Sequence, residues 1–212
     1  NGGAAPVRGD GIAIAIEQDA VVNNLLIENN MIRGNGDEGI DIRLGSQAAP
    51  LGLNPTSARL TGTIRNNTIT NNGQNGIQLE ARGDTIAKIA IASNNSSNNG
   101  QRGIFVTTTN LPGIGVPQIS VDVRLNTLTA NATNGTEILT TTSLIFPFSA
   151  PQNICVNLTG NISTNVSNIT NTLNPFGSNT LTVVNLAMVN ANNPGGVTLG
   201  GTPAPVNVLG CP

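Results

Sequence analysis

IENNMIRGNGDEGIDI, running from Ile27 to Ile42, decides the architecture, because the chain writes it again. Ile64 to Leu79 reads IRNNTITNNGQNGIQL and aligns with it without a gap, 37 residues on. Ile91 to Val106 reads IASNNSSNNGQRGIFV, a further 27 residues on. A weaker copy spans Val123 to Ile138, another 32 residues on, and half-copies stand at Gly11 to Ile14 and from Val156. Units of this length bury an apolar face only by stacking on one another.

Each copy reads as one turn of a coil. Gly-Ile-x-Ile alternates apolar and polar residues, which predicts a short strand with its apolar members inward. The Asn-Asn pair ends another apolar stretch. Asn tolerates left-handed backbone and bonds its own main chain, so it suits a tight corner. The glycine ahead of each strand is expected to serve a similar turning purpose. Stacking puts like on like. Ile40, Ile77 and Ile104 form one inward row continued by Thr136, and Ile42, Leu79, Val106 and Ile138 form a second. Asn30, Asn67, Asn94 and Asn126 form a ladder in which each side-chain amide bonds the next. The unequal spacings place loops between constant corners, with Ala48–Ser57 and Leu111–Pro117 as two of them.

These residues resemble the parallel β-helix repeat of pectin-lyase-like proteins and of many bacterial surface proteins, over about residues 11 to 165. The expected fold is all-β: a right-handed parallel β-helix of about five or six coils, with strand spacing of about 4.8 Å. The resemblance implies architecture and not activity, since such folds carry enzymes, adhesins and inert stalks alike. Residues 1–150 hold the coils. Residues 151–212, where the pattern loosens after Ser143 and Phe146-Pro147-Phe148, hold terminal coils and a tail of the same domain.

Composition agrees and narrows function. Aromatic residues are 2% of the 212, with no Trp, Tyr or His, so the core is aliphatic. Charged residues are 9% and the net charge is −2. Nine scattered basic residues give no nucleic-acid face. No apolar run is long enough to span a membrane as a helix. The sequence starts at Asn1 without Met and reads as a processed or excised segment. Cys155 and Cys211 read as a disulfide or as two buried thiols; two Cys without His make a poor metal set.

The resemblance directs attention to the outward row Asp41, Gln78, Phe105 and Glu137. Asp37 and Glu38 precede Asp41, forming an acidic patch suited to acid–base work or Ca²⁺, or else a solvated turn. Glu80, Arg82 and Asp84 read as a surface loop with ion pairs. No nucleophile elbow, phosphate loop or metal motif occurs, so no catalytic residue, metal or cofactor is assigned. Arg8-Gly9-Asp10 matches an integrin-binding tripeptide but is short enough to be chance. Nine Asn-x-Ser/Thr sequons include Asn131, Asn134, Asn157, Asn161, Asn165 and Asn168. Thr107–Thr109 and Thr140–Thr142 raise ice binding, which the variable loops disfavour.

The expected function is an extracellular or cell-surface structural module that self-associates, since no helical cap precedes Gly11 to Ile16. A polysaccharide-binding adhesin, or a polysaccharide lyase or hydrolase, is the alternative.

Overall fold

The computed structural model describes residues 9–45, 57–110, 115–142, 152–165, 167–171, 179–201, 206–208 and 211. The chain climbs through successive coils. The first holds β1 (Ile12–Ile16), β2 (Val21–Glu28) and β3 (Met31–Arg33). The second holds β4 (Ile40–Leu44), β5 (Arg59–Arg65) and β6 (Thr68–Thr70), and the third β7 (Ile77–Arg82), β8 (Ile86–Ala92) and β9 (Asn95–Ser97). The fourth holds β10 (Ile104–Asn110), β11 (Gln118–Arg124) and β12 (Thr127–Leu128), and the fifth β13 (Thr136–Thr142), β14 (Asn153–Thr159) and β15 (Ile162–Ser163). Then come β16 (Ser167–Asn171), β17 (Thr180–Val184), a 3₁₀ turn at Leu186–Met188, β18 (Val197–Gly201) and β19 (Val206–Val208).

Among the described residues, strands of equal rank pair in parallel, forming two seven-stranded sheets and one of five. Seven strands in two sheets make one coil more than the upper end of the five or six expected from the repeat. β16, β18 and β19 pair in register without a Gly-Ile-x-Ile signature of their own. The inward rows are those read from the repeat: Ile12, Ile40, Ile77, Ile104 and Thr136 align, as do Ile14, Ile42, Leu79, Val106 and Ile138. From Ile40 onward these side chains are sealed from solvent. Burying each aliphatic side chain contributes roughly 1.5–3 kcal/mol, and their shared rows give one continuous core.

Two corners of each coil use the same grammar. A left-handed residue comes first: Asn29, Asn66, Ser93 and Leu125 at one corner, Gly34, Asn71, Asn98 and Ala130 at the other. An inward Asn follows. At the first corner this builds the expected ladder, which continues beyond Asn126 to Asn161 and Asn193. Asn94 is typical. Its Nδ2 donates to Asn126 Oδ1 at 3.0 Å and to Ile64 O at 2.9 Å, while its Oδ1 accepts from Asn67 N and Nδ2 at 3.0 Å each. At the second corner Asn35, Asn72, Asn99 and Asn131 form another ladder, with Nδ2 to Oδ1 distances of 2.8, 2.9 and 3.0 Å. The sequence reading did not identify this column. Buried amides are tolerated because each rung satisfies the next.

The glycines before the strands have a different role from the one expected. Gly39, Gly76 and Gly103 do not take left-handed backbone. They stand where a Cβ would meet the backbone oxygen of the glycine one coil on, at 2.6 to 2.7 Å. Close stacking, not turning, demands glycine there.

Length variation between β4 and β5, β10 and β11, and β13 and β14 falls at the remaining corner. Most of Ala48–Ser57, Leu111–Ile114 of the second loop, and Phe146-Pro147-Phe148 lie outside the described residues. Cys155, between inward Ile154 and Val156 on β14, faces out and forms a disulfide with Cys211, with Cα atoms 5.5 Å apart.

Candidate functional site

The outer face of the sheet containing β4, β7, β10 and β13 carries most of the charged side chains that the sequence singles out. Asp41, Gln78, Phe105 and Glu137 align as one outward row, and Arg43, Glu80 and Thr107 as the next. The two candidate clusters meet here. Asp10, Asp37, Glu38, Arg43, Gln74, Gln78, Glu80 and Arg82 line one open groove with a volume of about 500 Å³.

Two expectations need correction. Glu38 and Asp41 do not lie on a solvated turn, since each residue is only 4% exposed. Neighbouring coils cover them: Asn75 Nδ2 donates to Glu38 Oε1 at 3.2 Å and Gln78 Nε2 to Asp41 Oδ1 at 3.2 Å. Glu80 and Arg82 do not lie on a loop. They sit on β7 as a largely buried bidentate pair with N to O distances of 2.6 and 2.7 Å. Asp84 contributes its backbone oxygen to Arg59 Nη1 at 3.0 Å.

Burial sets the electrostatics. It pushes the Glu38 carboxyl up to about 7, helped by a hydrogen bond with Asp10 and by the nearby charges of Asp41 and Asp10. Burial also raises Asp41, against the pull of Arg43, whose Nη2 lies 2.7 Å from Asp41 Oδ2. Asp10 belongs to this group, and the sequence reading placed it only in the Arg8-Gly9-Asp10 tripeptide. Its Oδ1 accepts from Glu38 N at 3.1 Å. Arg8 lies outside the described residues. Asp37, half-buried, accepts from Gln74 Nε2 at 3.0 Å.

The groove therefore offers one carboxyl that holds its proton to near neutrality, amide donors and acceptors, and two guanidinium groups already paired with carboxylates. Further along the row Arg102 stacks over the Phe105 ring, 4.4 Å from its centroid, and pairs with Glu137. One face of the aromatic ring is thereby covered. Among the described residues no group of three or more His, Cys, Asp or Glu side chains is placed to share a metal ion.

Other features fall into place. Asn94, Asn131 and Asn161 occupy sequons but are buried ladder rungs, so the fold gives glycosylation no access to them. Asn66 and Asn95 are exposed. Thr107 and Thr108 are buried and form no exposed threonine array; the side chains of Thr140–Thr142 lie outside the described residues. No described helix is long and apolar enough to cross a membrane.

Residues 56–149 match the family described as right handed beta helix region. No curated protein and no solved structure matches the chain. The match and the parallel sheets agree on a right-handed parallel β-helix, the hand that parallel crossovers adopt almost without exception.

Proposed function

We propose that this right-handed parallel β-helix is a non-catalytic extracellular structural protein, a building block that assembles through the edge of its first coil. That edge is the observation that carries the reading. β1, β2 and β3 each pair on one side only among the described residues. Ile12, Ile14 and Val22 are not fully buried, whereas their register partners Ile40, Ile42 and Leu60 are. Leu26 and Met31 of the same coil are 51% and 69% exposed. A row of backbone groups that no described strand pairs, beside exposed apolar surface, is a template for added strands. A head-to-tail or strand-exchange contact that does not close builds a filament. The disulfide suits an oxidising, extracellular setting.

Sedimentation velocity over a rising concentration series tests the assembly. The wild type is expected to grow in size. Ile12 N–H bonds Gly39 O, so alternation points the Ala13 N–H to the side of β1 that no described strand pairs. Ala13→Pro removes that donor and is expected to stop growth while leaving the coil paired to its neighbour. A wild type that sediments as a monomer throughout contradicts the reading.

A second reading, a polysaccharide-binding or polysaccharide-cleaving surface, is favoured by the groove. Gln74, Gln78, Arg43 and Arg82 could bond sugar hydroxyls there. A polysaccharide panel tests it: Gln78→Ala is expected to weaken binding and Asp41→Asn to abolish any cleavage. Unchanged behaviour in both variants would count against it.

A further inference from the structure

We infer that the outer face of the five-stranded sheet is an ice-binding surface, where threonine hydroxyl and methyl groups meet ordered water at the repeat of the coils. Each strand of that sheet turns two side chains outward. In the second coil they are Thr68 and Thr70, either side of buried Ile69. In the third they are Asn95 and Ser97, either side of buried Ser96, and in the fourth Thr127 and Thr129, either side of buried Leu128. Thr68, Asn95 and Thr127 pair in register, as do Thr70 and Ser97. Thr129 continues the second row, its Oγ1 donating to Ser97 Oγ at 3.0 Å. Asn95 and Thr127 are exposed, Thr68, Thr70 and Thr129 are half-buried, and Ser97 is recessed. Met31 and Arg33 bound the two rows in the first coil, and Ile162 bounds them in the fifth.

Variable loops are the objection to an ice-binding array in this chain, and they are absent from both edges of this face. At one edge only Asn66–Asn67, Ser93–Asn94 and Leu125–Asn126 lead into β6, β9 and β12. At the other edge the spacing to the next coil is constant: Thr68 to Ile77, Asn95 to Ile104 and Thr127 to Thr136 are equal steps. The loops of unequal length leave from the remaining corner, between the two seven-stranded sheets. An asparagine ladder runs along each edge, Asn67–Asn94–Asn126 on one and Asn72–Asn99–Asn131 on the other. Side-chain ladders of this kind are what keep a sheet flat.

Spacing and charge choose the partner. Outward groups recur about every 4.8 Å across the strands and about every 6.6 Å along each strand. A small soluble ligand meets such a face at one or two points, whereas a partner with its own lattice meets every group. Oxygen rows on the faces of hexagonal ice repeat at comparable intervals in two directions. β6, β9 and β12 carry no charged side chain, so the partner they fit is neutral. Nearby Arg65 and Arg124 are engaged by Glu28 and Asp122. Threonine, branched at Cβ, loses little rotamer freedom on contact. This surface lies on the side of the coil and does not depend on assembly through its first edge.

Ice partition tests it. Ice is grown slowly through a dilute solution of the full, disulfide-bonded chain, and protein is measured in the ice and in the remaining liquid. The wild type is expected to enter the ice several-fold more than Thr127→Lys or Thr68→Lys, which set a charge in the array. Thr63→Lys makes the same change on the neighbouring sheet and is expected to partition as the wild type does. Thermal melts show that each variant used is folded. A wild type left in the liquid overturns the inference, as does equal partition of all folded variants. Binding to crystalline cellulose that Thr127→Lys abolishes, with no entry into ice, also overturns it and assigns the face to a polysaccharide.

Discussion

Asn94, in the middle of its ladder, both donates and accepts through its side chain, whereas no described residue donates to the Asn30 side-chain oxygen in the first coil. Asn94→Ala leaves the Asn67 amide, Ile64 O and Asn126 Oδ1 each short of a partner in a sealed interior. We expect a loss of about 3 kcal/mol, read from urea unfolding. Asn30→Ala, at the exposed end of the same ladder, should cost under about 1 kcal/mol; equal losses would contradict the ladder's energetic role. Glu38 supplies a pH test. Its folded pKa of about 7 lies above the ordinary 4.5, so the folded state holds a proton that the unfolded state releases. The resulting stability is full below about 4.5, falls as pH rises, and is gone above about 7. The span amounts to roughly 3 kcal/mol at most. Glu38→Gln, which cannot ionise, should flatten that fall in a pH series of thermal melts. The first ladder was legible because Asn-Asn pairs mark it. The second, five residues on in each copy, was hidden because its leading residue varies from Gly34 to Asn71 to Ala130. Burial of Glu38 was not legible, since Asn75 and Asp10 reach it from other coils.

At the scale of the strand and its corners, close stacking rather than turning chemistry explains the repeated glycine. A Cβ on Gly76 would lie 1.9 Å from Ser96 Oγ and 2.7 Å from Gly103 O. Gly76→Ala must therefore push two coils apart, and we expect about 2–4 kcal/mol of destabilisation by thermal melting. A neutral effect would show that the coils give way easily. The repeat made strands, inward rows and one corner readable, because apolar alternation and Asn-Asn pairs are local signals. It undercounted the coils because β16, β18 and β19 are recruited by pairing with a preformed edge. Their own residues carry little pattern.

Across the whole molecule, the two ends differ. The far end is tied by Cys155–Cys211, which closes a span of 56 residues. In the chain-entropy account such a closure contributes about 4 kcal/mol. Replacing both cysteines with serine should speed hydrogen exchange in β17 and β19 while leaving β5 and β8 protected. Uniform loosening would mean that the bridge supports the entire stack. The near end, with its half-buried Ile12 and Ile14 and with Asn30 and Asn35 side-chain oxygens to which no described residue donates, is where growth is proposed. Negative-stain electron microscopy of the purified native material tests that claim most directly. Thin, regular fibres are expected, and a field of separate small particles at every concentration would contradict it.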